Sequence, residues 1–169
     1  MVSILQRDEE VKFRPVGVVR TSRSDDEIKE SCHESESVIE IFPEYQKALH
    51  GLDGFSHVFV LAFLHRLRPD QIGPLTVRPR RLLRKGFSLE EIPEVGVFAL
   101  DSPTRPNPIA LSLVKLLKIE GGRILVLGLD LFDGTPVLDI KPYRGDYRVE
   151  EYSLAEWYQK LLDKAGANI

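Results

Sequence analysis

The feature that most constrains this chain is a pair of apolar runs on either side of two adjacent glycines. Ile109 to Ile119 and Arg123 to Leu131 are separated by Glu120-Gly121-Gly122. A two-residue turn joining antiparallel strands needs positive φ at its central positions, which glycine adopts without steric cost. The spacing predicts an antiparallel hairpin, and so a sheet. Ile124 and Val126 fall on one face of the second run, and Leu125, Leu127 and Leu129 on the other. Both faces are apolar, so the outer one needs a cover as well as the inner one.

Shorter strand patterns surround the hairpin. They fall after Pro15 in Phe13 to Thr21, at Val38 to Phe42, Gly54 to Leu64, Leu75 to Arg81 (interrupted by Pro79), Val95 to Leu100 and Pro136 to Ile140. Pro43 opens a helical turn through Leu49. Ser22 to Ser37 is polar and serine-rich and reads as a mobile loop. Strands and helices do not alternate, which argues against a doubly wound α/β sheet. Near the end, Leu154, Trp157, Tyr158, Leu161, Leu162 and Ala165 make one helical stripe. Ser153 with Glu156 gives a capping-box pattern at its start. The expected fold is mainly β: a single compact β-barrel of about seven strands over residues 1–150. A short C-terminal amphipathic helix over 151–169 follows it.

At 169 residues and 43% hydrophobic content the chain can bury a core as one domain. Its single cysteine, Cys32, allows no internal disulfide and points to a reducing compartment. Met1 to Glu10 lacks the apolar run and cleavage site of a signal peptide. No window approaches the roughly 20 apolar residues of a membrane span. A cytoplasmic protein with no membrane partner is expected. The net charge of −3 argues against a general nucleic-acid coat protein but leaves room for a local basic face. Five of the eight residues from Arg78 to Lys85 are basic. Arg78, Arg80, Arg84 and Lys85 are the candidate RNA contacts, with an ordinary solvated loop as the alternative.

No GxGxxG, P-loop or CxxC motif is present. His33, His50, His57 and His65 have no zinc spacing, so no metal is expected. His57, in an apolar run, reads by default as a structural histidine. The chemistry-bearing segments lie elsewhere. In Asp101 to Ala110 (DSPTRPNPIA), Pro103, Pro106 and Pro108 stiffen a loop that presents Arg105 and Asn107. Such preorganisation lowers the ordering cost of binding. In Gly128 to Tyr143 (GLDLFDGTPVLDIKPY), the Asp133-Gly134 turn lies among Asp130, Asp139 and Lys141.

RPNPIALSLVKL, GLDLFDGTPVLDIKPY, PVG, LDGFSHVFVL and VGVF, in that register, resemble the TsaA-like or TrmO family from about Phe13 to Tyr143. Members of that family are tRNA methyltransferases acting on N6 of threonylcarbamoyladenosine beside the anticodon. The resemblance implies a β-barrel, S-adenosyl-L-methionine as methyl donor, and a homodimer with the cofactor near the subunit interface. Carried over by motif, the implied cofactor residues are Pro15, Val16, Gly17, His57, Val58, Arg81, Phe98, Leu131, Phe132, Asp133 and Gly134. Arg105, Asn107, Asp139, Lys141 and Tyr143 are the implied substrate or catalytic residues. The chain departs from the family at Ala99-Leu100-Asp101-Ser102, where members often carry Ala-Thr-Arg-Ser, and it has no Pro-Arg-Gln after the first strand.

Transfer from a sulfonium is an in-line displacement governed by positioning. The urea-like N6 nitrogen is a poor nucleophile, so a proton acceptor is expected. Asp139 is the first candidate and Tyr143 the second, with Arg105 or Lys141 meeting the threonyl carboxylate. Strand alternation puts Asp139 opposite Leu138 and Ile140, on the side of Val137 and Lys141. Two alternatives stay open: an S-adenosylmethionine-binding barrel acting on another RNA or a small molecule, and a non-catalytic binding protein.

Overall fold

The computed structural model describes residues 11–30 and 35–166, apart from the side chain of Arg81; Cys32 and His33 lie outside the described residues. The strands in chain order are β1 (Gly17–Arg20), β2 (Glu36–Ile41), β3 (His57–Phe63), β4 (Thr76–Val77), β5 (Val95–Gly96), β6 (Ile109–Glu120), β7 (Arg123–Leu127) and β8 (Pro136–Pro142). Among the described residues there are two α-helices, α1 (Asp25–Glu30) between β1 and β2 and α2 (Glu156–Ala165) after β8. The chain divides into two compact units. One is Met1–Phe63 with Leu111–Pro142, and the other is Leu64–Ala110 with Tyr143–Ile169.

The first unit is a closed barrel in the order β1-β2-β7-β6-β3-β8. The diglycine turn forms as the sequence predicts. Gly121 and Gly122 have φ of 56° and 77°, and Glu120 pairs with Arg123 across the hairpin. Alternate residues fill the interior: Val19, Ile39, Val58, Val60, Ala62, Ile124, Val126 and Val137 are all 0% exposed. β7 ends at Leu127, because Gly128 at φ 91° breaks the alternation. Leu129 therefore turns inward to 1% exposure instead of sharing the outer face with Leu125 and Leu127.

Asp139 also departs from the expected alternation. The β3–β8 register shifts between Leu61 and Ala62, so Leu61 pairs with Asp139 while Ala62 pairs with Val137. Leu138 is thus an extra residue, a bulge. Paired residues share a face, so Val137 follows Ala62 into the core while Asp139 follows Leu61 outward. Asp139 and Val137 are on opposite sides, whereas Lys141 shares the outer face with Asp139 and ion-pairs with it at 2.6 Å.

Three further expectations are corrected. Ser22 to Ser37 is not all loop: Asp25–Glu30 is helical, and β2 begins at Glu36. Ser24 and Glu27 make the reciprocal contacts of a capping box, with Ser24 N donating to Glu27 Oε2 at 2.8 Å and Glu27 N to Ser24 Oγ at 3.4 Å. The Ser24 hydroxyl holds the Glu27 carboxyl below its usual range, and Ile28 anchors the helix at 5% exposure. Conversely, the capping box read at Ser153 does not form, since Ala155 is the N-cap and makes no side-chain bond. Finally, the barrel has six strands, because two expected strands shrink to the two-residue pair β4–β5. Pro79 lacks a ladder donor, and Arg80–Lys85 and Val97–Ala99 wind into 3-10 turns.

In the second unit the stripe of α2 buries Leu161 against Leu82, Phe87 and Ile92, with Trp157 and Ala165 packed on that cluster. Lys164 ion-pairs with Glu91; with Ser88 N–H also donating, it holds the Glu91 carboxyl down to about 2. Among the described residues no helix is long and apolar enough to cross a membrane.

Gly17 tests the barrel. A Cβ there would stand 2.5 Å from the carbonyl oxygen of Glu40 across the β1–β2 pair. Gly17→Ala should cost about 1–3 kcal/mol, as other overpacked sites do. The loss would appear as a lower denaturation midpoint at unchanged m-value. Gly145→Ala, where an added Cβ meets nothing within 4 Å, should stay near wild type.

Candidate functional site

Sequence candidates in the barrel fall at two ends of β8. At its N-terminal end, Leu131–Gly134 forms a turn tied down on several sides. Gly134 N donates to Val19 O and Val19 N to Thr135 O, both at 2.9 Å. Asp133 Oδ1 accepts from Thr21 N at 3.1 Å. Ser112, 7% exposed, donates its hydroxyl to Asp130 Oδ1 at 2.5 Å. Leu131 is buried in the core, while Phe132, Asp133 and Gly134 are half-buried. The Lys29 ammonium of α1 lies 5.7 Å from the Phe132 ring centroid. Gly134 has φ 79° and open space where a Cβ would point. The turn is therefore rigid on its protein side and open on the other, with an aromatic face and two carboxylates nearby. Those groups fit an adenosyl moiety, whose ring can stack and whose ribose hydroxyls can donate to carboxylates.

At the other end of β8 lies a cavity of about 300 Å³, next to the bulge and just before β1 begins. Val16, Ile41, Leu49, Leu52, Ile140 and Pro142 line it, with the aromatic Tyr45 and Phe55 and the polar His50 and Asp139. The Asp139 carboxylate accepts from Ile140 N at 2.8 Å as well as from Lys141. Asp139 is four steps along the chain from Thr135, about 13 Å in a regular strand. Val16 reaches this cavity while its N donates to Val137 O at 2.8 Å; Gly17, buried in the sheet, pairs with Val137 nearer the Leu131–Gly134 turn, and Pro15 is exposed. His57 starts β3 opposite this end of β8, its Nδ1 3.0 Å from Ser56 Oγ. The Val58 side chain is 0% exposed and packs the core. Sequence reasoning missed Tyr45, Ala48, Leu49, His50, Leu52 and Phe55. The one available signal was the helical turn at Pro43, since a 3-10 helix (Pro43–Leu49) stacks residues three apart such as Tyr45 and Ala48.

The second unit holds the remaining candidates. Arg105 Nη2 donates to Val97 O at 2.9 Å and to Leu100 O at 3.1 Å, so this guanidinium staples the proline-rich loop to the 97–99 turn. The same turn presents Phe98 at 84% exposure. Asn107 is exposed, and its carbonyl accepts from Ile109 N at 2.7 Å. Tyr143 is half-buried, its ring 6.1 Å from that of Tyr147. Arg78 clamps backbone as well, with Nη1 donating to Leu89 O at 3.1 Å and to Ile92 O at 2.8 Å. Arg80, Arg84 and Lys85 are exposed on the 3-10 turn, while the side chain of Arg81 lies outside the described residues. Among the described residues no cluster of three or more His, Cys, Asp or Glu could hold a metal ion.

Residues 27–147 match the family model of the tRNA-methyltransferase O N-terminal domain. A "Probable S-adenosyl-L-methionine-binding protein" of Methanothermobacter thermautotrophicus is 47% identical, over 82% of this chain and 94% of that protein. The mouse tRNA (adenine(37)-N6)-methyltransferase is 45% identical, over 63% of this chain. A crystal structure of TrmO superposes with a TM-score of 0.65 at 31% identity, covering 86% of this chain. The chain spans 64% of that TrmO and 23% of the mouse enzyme.

The Arg105 staple gives a prediction free of any ligand. Arg105→Lys keeps the charge but lacks the planar fork that meets two carbonyls at once. It should cost about 1–3 kcal/mol. Amide exchange should speed up over residues 97–107 while the barrel stays protected.

Proposed function

This chain belongs to the tRNA-methyltransferase O family, and from that premise we propose that it transfers a methyl group from S-adenosyl-L-methionine to N6 of adenosine 37 of tRNA. The match across residues 27–147, which contains both ends of β8 and the proline-rich loop, carries this reading. The finer substrate we propose is threonylcarbamoyladenosine, acted on in the cytoplasm by a homodimer.

The donor supplies an electrophilic methyl on a sulfonium. The Leu131–Gly134 turn would hold it, with Phe132 offering a face to the adenine and Asp133 and Asp130 accepting from polar groups. Gly17 pairs with Val137, the second residue of β8, and so lies near the turn, whereas Val16 lines the cavity and His57 starts β3 opposite the C-terminal end of β8. Asp139 would take the N6 proton; its carboxylate is already oriented by Ile140 N–H and Lys141. Asn107 and Tyr143 are the remaining polar candidates for the acceptor. Arg105, with Nη2 committed to two backbone carbonyls, would chiefly hold its loop. Arg80, Arg84 and Lys85 are the exposed cations of the basic run and would meet phosphates, whereas Arg78 is held by main-chain carbonyls. On the outer face of β6, Leu111, Leu113 and Leu117 are 67%, 49% and 38% exposed, an apolar stripe that a second copy of the chain would cover.

Incubation with labelled donor and tRNA, with and without the threonylcarbamoyl group, tests the reading. Transfer only to the modified tRNA is expected, and no transfer to either overturns it. Asp139→Asn should keep the melting curve and donor affinity while losing about a hundredfold or more in rate, as a missing general base does. Retained turnover would move the base elsewhere, with Tyr143→Phe as the next variant.

A further inference from the structure

We infer that the turn just after β8 carries a stacking platform, Tyr147 with Arg144 over it, for the unpaired nucleobase next to the acceptor in the tRNA loop. The inference rests on the reading of the chain as a tRNA adenosine methyltransferase and adds a contact to a neighbouring nucleotide.

Tyr143 to Tyr147 (YRGDY) folds into a small layered cluster. Main-chain bonds from Tyr147 N to Arg144 O and from Arg148 N to Gly145 O, both 3.1 Å, close the 3-10 turn Gly145–Tyr147. The Tyr147 ring lies 6.1 Å from that of Tyr143, and the Arg144 guanidinium sits over the Tyr147 ring at 5.3 Å from its centroid. Asp146 holds that guanidinium by two bonds, from Nε at 3.1 Å and from Nη2 at 2.9 Å. A forked pair of this kind fixes the plane of the cation as well as its place.

Burial does not account for the cluster. No residue of the turn is buried, Tyr147 is 44% exposed, and the Arg144 side chain is 57% exposed. An exposed ring ordered in advance offers contact area at little entropic cost on binding. Unpaired RNA bases are ligands that stack on aromatic rings and on guanidinium planes alike. Arg144 is offset by Asp146, and Arg148 faces Glu150 at 3.6 Å, so the cluster has little net charge to offer a phosphate. Its match is the flat face of a base.

Magnitudes separate this base from the methyl donor. Stacking one base is worth about 5- to 150-fold in affinity. A free small molecule loses about a thousandfold or more to association alone, so an open plane does not hold the donor by its adenine. A nucleotide on a strand already bound elsewhere does not meet that cost again. The acceptor base has its candidate proton acceptors in Asp139 and Tyr143. Tyr147 follows Tyr143 by four residues with its ring adjacent, which puts the nucleotide beside the acceptor within reach.

The test uses the full-length protein, a tRNA anticodon stem–loop and the donor, each titrated separately. Tyr147→Ala should weaken stem–loop binding about 5- to 150-fold, with donor affinity as in wild type. The slope of log affinity against log salt should not change, because no phosphate contact is lost. Tyr147→Phe keeps the ring and should bind as wild type. With 2-aminopurine placed on each side of the acceptor in turn, one flank should respond on binding to wild type and not to Tyr147→Ala. Should Tyr147→Ala not fold, Tyr147→Leu, apolar but not planar, reads the same signals. Unchanged stem–loop affinity in a folded variant overturns the inference. So does a flattened salt slope, which would make the contact a phosphate, or a donor affinity that falls in step, which would make the ring part of the donor site. A wild-type protein whose flanking base responds but which transfers no methyl group counts against the proposed reaction and leaves the platform standing. Transfer by wild type with no response at either flank sinks the platform alone.

Discussion

Everything in the first unit depends on the seam where β1 meets β8 and closes the sheet. The seam is short. Gly17 pairs with Val137 and Val18 with Pro136, with main-chain bonds from Val16, Val19 and Gly134 extending it. Closure gives the alternate residues of six strands one enclosed interior. Gly17 makes it possible, because the backbone of Glu40 comes too close for a side chain there. The seam's brevity matters as much as its presence. Pairing stops at Gly17, and the cavity lies just beyond it.

The bulge in β8 decides what that opening contains. A regular strand would have placed Asp139 with Val137 in the core, where an ionised carboxylate is costly. One extra residue moves it to the outer face, beside Lys141. The opposite end of the same strand begins from a turn cross-linked to β1 by main-chain bonds and by Asp133. One strand thus carries both groups of candidate residues on backbone that cannot drift independently.

The second unit shows how little a charge count says about use. Arg78 and Arg105 look alike in sequence to Arg80 and Arg84, yet both spend donors on main-chain carbonyls. A guanidinium has several donors in a fixed fork, so it can close loops that lack regular backbone pairing. The proline-rich loop is such a place, since its three prolines have no N–H to contribute. Whether an arginine staples a loop or waits for a phosphate depends on which carbonyls lie within reach.

The sequence by itself determined the antiparallel hairpin, the mainly β class, the apolar stripe of α2 and the family. Each is written in local pattern or contiguous motif: two glycines that accept positive φ, alternation, a spacing of three and four, and unbroken matching segments. It did not determine which of two equivalent capping signatures would act. Ser24 with Glu27 caps a helix because Ile28 finds a buried place, while Ser153 with Glu156 precedes a helix that starts at Glu156 without a side-chain cap. Nor did it fix the face of Asp139, which follows from the partner strand's register, or the cavity, whose walls come from segments distant in the chain. Those are long-range facts. A single strand carries its own alternation, but a bulge exists only relative to a neighbour, and a pocket only where several segments stop short of one another.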